Sequence, residues 1–223
     1  MINKNIIRPA KTRCLHRTGP NTIRLWTFQP LDVCNGLLEQ HTLYVNPTHP
    51  RFLADIDNFR DAYEWMREQM KERIPGYQGH YPWWAYDHFP DLRRYRWHTP
   101  PYGERLVRLE LAIPSEQVIL SGYDTWHWVL NRWYLPETFA DEPTKASESE
   151  VWERGAKLGG VDTFKDNPFA EPWEAQLQAS WRHIFDIDSG QPRYTVQANF
   201  ERLELTQVVK VTEFTSMPEH ESR

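Results

Sequence analysis

Most of the strand candidates of this chain are joined by links too short to carry it back over a sheet. Arg105 to Ile113 (RLVRLELAI) alternates, with Val107, Leu109 and Leu111 on one side and Arg108 and Glu110 on the other. Pro114 closes this run, Ser115 and Glu116 turn, and Gln117 to Leu120 resumes as a strand. Parallel pairing needs a crossover of about a dozen residues or more, so most strands here must pair antiparallel.

The other elements follow from period and punctuation. In Thr22 to Gln29, alternation puts Arg24, Trp26 and Phe28 on one face and Leu25, Thr27 and Gln29 on the other. Pro30 opens a short helix through Glu39. Phe52, Ile56, Phe59, Tyr63, Met66, Met70 and Ile74 form one apolar stripe, which predicts a single helix over 51–74 ended by Pro75-Gly76. Tyr81 to His88 is a strand with rings on both faces, and Asp124 is placed to cap a helix through Asn131. A helix from Glu171 to Phe185 opens with Pro172, and Arg193 to Arg202 and Gln207 to Phe214 are the last strands. The expected architecture is a single α+β domain over 22–215, a mostly antiparallel sheet of about six strands with flanking helices. Residues 1–21 read as a polar leader, 136–169 as a surface excursion rich in Pro, Gly, Glu, Lys and Ser, and 216–223 as a tail.

A core for such a domain comes from ring size. Only 39% of the 223 residues are apolar, below the roughly 45–50% of an average domain, but 11 Trp, 10 Tyr and 10 Phe supply large buried area. The net charge of −5 argues against a general duplex-binding footprint. No apolar run is long enough to span a membrane, the N-terminus lacks a signal-peptide core, and two cysteines make neither a disulfide framework nor a metal set. A reducing cytoplasm is the expected setting, with no metal. The common phosphate-loop, dinucleotide, zinc and nucleophile-elbow motifs are absent.

Three clusters could carry chemistry. Trp126, His127 and Asn131 lie on the short helix, with His127 and Asn131 four apart on one face; they could orient a ribose or nicotinamide, or be a structural histidine with packing tryptophans. Gln197, Asn199 and Glu201 alternate onto one face of a late strand, either the floor of a cleft or the wet side of an edge strand. Arg93, Arg94 and Arg96 interleave with Tyr95, Trp97 and Tyr102, a pattern suited to phosphate and base or to a solvated loop with cation–π contacts.

The stretches LWTFQ (25–29), AYEWMREQM (62–70), YPWWAY (81–86), RLELAIPSEQVILSGYDTWHWVLN (108–131), SWRHIFD (180–186) and VQANFERLELTQVVKVTEF (196–214) resemble an uncharacterised bacterial family, a domain of unknown function that opens on Leu-Trp-Thr-Ile-Gln. More distantly, LWTFQ with the helix ending in GLLEQ, and the late VQANFERLELTQVVKV, resemble the ADP-ribosyltransferase superfamily. In that superfamily an opening strand holds NAD and a late strand carries Gln/Glu-x-Glu. The likeness implies a split sheet, NAD as substrate, and a bacterial toxin or phage-conflict effector acting on a protein or nucleic-acid target. Here Gln197-Ala198-Asn199 stands at the late motif, leaving Glu201 as the nearest carboxylate, and Thr27 and Gln29 stand where many relatives have His or Arg.

Three readings stay open. In the first, Gln197, Glu201 and His127 are catalytic while Thr27, Gln29, Trp84, Tyr86, Arg94, Trp126 and Asn131 hold NAD, all around one aromatic-walled hollow. In the second, the same cleft binds a nucleotide without catalysis. In the third, exposed aromatics and arginines bind another macromolecule.

Overall fold

The computed structural model describes residues 21–90, 103–133, 135, 171–187 and 196–216, with the side chains of 50, 51 and 171–173 left aside. The leader up to residue 20, the 136–169 excursion, the start of the Arg193 strand, the tail from residue 217, and Arg94 with its Arg–aromatic neighbours lie outside the described residues.

The chain enters as β1 (Thr22–Pro30) and turns at Pro30 into α1 (Leu31–Gln40). A short β2 (Thr42–Tyr44) leads to α2 (Pro50–Asn58) and α3 (Arg60–Arg73). Then come β3 (Trp83–Tyr86), β4 (Arg105–Pro114), β5 (Val118–Gly122) and α4 (Tyr123–Leu130). After α5 (Glu171–Ser180) and a 3-10 turn (Trp181–Phe185), β6 (Val196–Phe200), β7 (Arg202–Glu204) and β8 (Val208–Thr215) complete the described chain.

Six strands form one sheet in the order β5-β6-β3-β1-β4-β8, and every registered pairing is antiparallel, as expected, although the paired strands are not the ones that short links join. A second sheet, β2-β7, pairs Leu43 with Leu203; neither three-residue strand is long enough to show alternation in the sequence. Order in space departs from order in sequence. β4 and β5 are joined only by the 3-10 turn Ser115–Gln117, yet β6, β3 and β1 stand between them in the hydrogen-bonded order. β1 and β4 pair along the whole of β1, whereas β1 and β3 are registered at one pair, Trp26 with Tyr86.

Two cores flank the sheet, one on each face. One takes Leu25, Ala85, Val107, Leu109, Ala198 and Phe200 from the strands and Cys34, Leu37 and Ile56 from α1 and α2. The other sets Ile119 against Met66 and Met70 of α3, Trp126 and Val129 of α4, and Leu177 of α5. This division explains why the 51–74 stripe is two helices instead of one. Phe52 and Ile56 pack into the first core while Met66, Met70 and Ile74 pack into the second. The chain bends between them at Phe59, whose φ of −125° and ψ of 33° are not helical.

Two local expectations are corrected. Asp124 makes no capping bond, because α4 begins one residue earlier and Gly122 occupies the cap position. The late strand is not an edge with a wet side: β6 lies between β5 and β3, and each of its residues is buried.

Candidate functional site

The pairing register builds one row of side chains across the sheet. Tyr86 of β3 stands opposite Trp26 of β1 on one side and Gln197 of β6 on the other, and Gln197 stands opposite Ser121 of β5. Partners in an antiparallel ladder share a face, so Ser121, Gln197, Tyr86 and Trp26 all point the same way. The next row holds Ile119, Asn199 and Trp84.

Helix α4 covers that second row and leaves its first turn beside the first. Trp126 packs on Trp84 with ring centroids 4.7 Å apart, while Tyr123, one turn earlier, sits 6.4 Å from Tyr86. Phe28 meets Tyr86 edge-on at 5.8 Å and Phe214 of β8 at 5.5 Å, and His88 lies 5.5 Å from Tyr86. Tyr123 is 38% exposed, and Phe89, edge-on to Trp26 at 5.8 Å, is 59% exposed. The face therefore carries half-open rings around a buried amide.

That amide is under-used. Asn199 accepts a hydrogen bond from the Ser121 hydroxyl at 3.1 Å, whereas the Gln197 Nε2 and Trp26 Nε1 donors are buried without a hydrogen-bond partner among the described residues. Beyond Trp26 the row becomes ionic. Glu110, in register with Trp26, is bound by the Arg24 guanidinium, and Arg108 donates to the Pro90 carbonyl at 3.0 Å with its guanidinium 4.3 Å over Phe89.

The structure brings together Gln197, Trp84, Tyr86 and Trp126 of the expected site residues and separates the others. Thr27 and Gln29 lie on the opposite face of β1, beside Leu25. The Thr27 hydroxyl donates to the Trp84 carbonyl at 2.8 Å and accepts from Gln29 Nε2 at 2.9 Å, both residues being buried. They tie the β1–β3 seam where the backbone ladder is shortest. His127 is exposed at the outer rim, its ring 5.1 Å from Tyr123 and its Nδ1 3.0 Å from the Tyr123 carbonyl. Asn131 is exposed and donates to the His127 carbonyl at 2.7 Å, a helix-end contact. Glu201 lies in the bend after β6, where alternation stops, and its Oε1 accepts the backbone N–H groups of Gln78 at 2.8 Å and His80 at 3.1 Å. Arg94 lies outside the described residues. Sequence reasoning passed over Phe28 and Tyr123 as wall residues. The alternation that pairs Phe28 with Trp26 already carried the first; the second needed the position of α4.

Two hollows elsewhere do not include this row. One, of about 230 Å³, is lined by Ile74, Gly76, Glu116, Phe200, Glu201 and Arg202. A groove of about 790 Å³ between α3 and α5 is bridged by Arg132, which binds both Asp61 and Glu174. Burial raises the Tyr63 hydroxyl, beside Trp84, well above the usual tyrosine range, and pushes Tyr77 up to about 12. Among the described residues no group of His, Cys, Asp or Glu could hold a metal, and no helix is long and apolar enough to cross a membrane.

Fold and site together define an α+β protein with one six-stranded antiparallel sheet, bearing an aromatic face around a buried glutamine. The chain belongs to the family described as a domain of unknown function (DUF3841), whose model matches residues 24–209. The expected membership of such a family is thereby met. No curated protein and no solved structure matches the chain.

Proposed function

We propose that this chain is an ADP-ribosyltransferase-like nucleotide-binding protein that holds the planar ring of a nucleotide such as NAD against Phe28, Tyr86 and Tyr123. The observation that carries the reading is the register row Trp26–Tyr86–Gln197. It sets the opening strand and the late strand, the two elements of the superfamily likeness, one strand apart with side chains on a common face. The single registered pair between β1 and β3 supports the split sheet that the likeness implies. Aromatic planes accept ring faces of any nucleotide, and a buried amide donor supplies a polar contact.

Binding without turnover is the version the side chains favour. Departure of nicotinamide builds positive charge on the ribose, which an ionised carboxylate must face. Asn199 is uncharged and bonded to Ser121, Glu201 is engaged by the Gln78–His80 loop, and Glu110 is paired with Arg24. Incubation of the full chain with labelled NAD is expected to give saturable binding with no released nicotinamide. Released nicotinamide would return the chain to the transferase reading. Absence of any thermal shift with NAD, ADP-ribose, nicotinamide and mononucleotides would overturn both.

A further inference from the structure

We propose that the smaller hollow, of about 230 Å³, binds a free amino acid, with Glu201 holding its ammonium group and Arg202 its carboxylate. The hollow lies apart from the aromatic face, and the proposal stands without the nucleotide reading. Glu201 is 6% exposed, and its Oε1 alone accepts the Gln78 and His80 N–H groups and lies 3.0 Å from His80 Nδ1. No hydrogen bond from the described residues reaches Oε2. A carboxylate offers acceptor sites on both oxygens, and a buried charge is costly until they are met. The loop therefore fixes this carboxylate in the wall of the hollow and leaves one oxygen for a donor from outside.

Arg202 supplies the opposite charge in the same wall. Neighbours in a regular strand point to opposite faces, but Glu201 occupies the bend between β6 and β7, so both residues line one hollow. They do not pair with each other. Arg202 Nε lies 2.7 Å from Glu204 Oε1, off the line of a hydrogen bond, and the terminal N–H groups of Arg202 take no partner among the described residues. A guanidinium with unused donors suits a carboxylate, which it can grip through two bonds. Ile74 and Phe200 give the hollow an apolar side for an aliphatic side chain. At about 30 Å³ per water-sized group it has room for roughly eight non-hydrogen atoms, the size of valine and far below that of a nucleotide. Glu116, exposed in the same wall, adds negative charge and so favours a ligand with an ammonium group over a bare carboxylate.

The test titrates the full chain with valine, alanine, 2-methylpropylamine, 3-methylbutanoate and 1,4-diaminobutane. Calorimetry is expected to show valine binding saturably. The amine, which is valine without its carboxylate, and the acid, which is valine without its ammonium, should each bind about tenfold weaker or worse. Arg202→Gln should abolish the preference for valine over the amine, and Glu201→Gln the preference over the acid, with Tm recorded for both. Arg202→Gln leaves the Glu201 loop bonds in place, so it decides the matter even where Glu201→Gln unfolds. Backbone amide resonances that move with valine should centre on Gly76, Gln117 and Arg202. Failure of both valine and alanine to bind, or equal binding of valine and its two halves, overturns the proposal. So does tighter binding of 1,4-diaminobutane, which would make the hollow a site for cations alone. None of these outcomes bears on nucleotide binding at the aromatic face.

Discussion

Glu201 and His80 are joined twice through one oxygen: Glu201 Oε1 accepts the His80 backbone N–H at 3.1 Å and lies 3.0 Å from the His80 Nδ1. The same oxygen takes the Gln78 N–H, and the His80 ring stacks on Tyr44 at 3.9 Å. One carboxylate thereby fastens the α3–β3 loop to the end of β6 and the edge of the small sheet. Hydrogen bonds to a charged acceptor are each worth about 1.5–3 kcal/mol, so Glu201→Ala should lose roughly 2–4 kcal/mol in urea unfolding. Glu201→Gln, which keeps one acceptor, should lose less. Nucleotide affinity of the folded fraction should not change in either; a specific loss with unchanged Tm would return Glu201 to the site.

Thr27 tests the division between faces. Its hydroxyl bridges Gln29 and the Trp84 carbonyl on the side away from Tyr86. Thr27→Val is expected to cost about 1–2 kcal/mol by removing a buried hydrogen bond, and to leave nucleotide affinity as it was. Paired denaturation and calorimetry check this.

Tyr86 and Tyr123 should behave oppositely to Thr27. Stacking on an aromatic is worth about 1–3 kcal/mol per base, so Tyr123→Ala should weaken nucleotide binding by roughly tenfold or more. Because Tyr123 is 38% exposed, its Tm should barely move.

Arg132 holds α3 and α5 together from a left-handed backbone, φ 56°, while binding Asp61 and Glu174. Arg132→Ala loses the ion pairs and keeps the unfavourable φ, whereas Arg132→Gly relieves it. Thermal unfolding should find the glycine variant more stable than the alanine variant by about 1 kcal/mol.

The tyrosines next to the α3–β3 loop set an alkaline limit. Burial, the largest cause, pushes Tyr77 from 10.0 to about 12 and also raises Tyr81. A raised folded value means the native state holds these protons more tightly than the unfolded one. Their contribution to stability is present below pH 10 and is lost as pH rises toward about 12. Phenolate absorbance should rise late, together with a fall in the urea midpoint; early titration of all ten tyrosines at their ordinary value would contradict the burial.

What the amino-acid order determined by itself is local and periodic. Alternation in Thr22–Pro30 and Arg105–Pro114 and the 3-4 spacing of the Phe52–Ile74 stripe settle strand faces and helix faces, since each depends only on the geometry of neighbouring residues. The antiparallel sense of the sheet was expected from short links, yet each pair that forms joins strands far apart in sequence, so the pairing itself was a tertiary outcome. Periodicity carries no information about neighbours in space, so that β6 is interior, that β4 and β5 stand apart across a three-residue turn, and that the stripe serves two cores came only from the tertiary structure. The same holds for the site. Alternation separated Thr27 and Gln29 from Trp26 and Phe28, but only the pairing of Tyr86 with Trp26 and Gln197 decided which of those faces meets the late strand. Glu201 left the pattern because a bend after Phe200 ended the alternation, and a long-range partner, the Gln78–His80 loop, took its carboxylate.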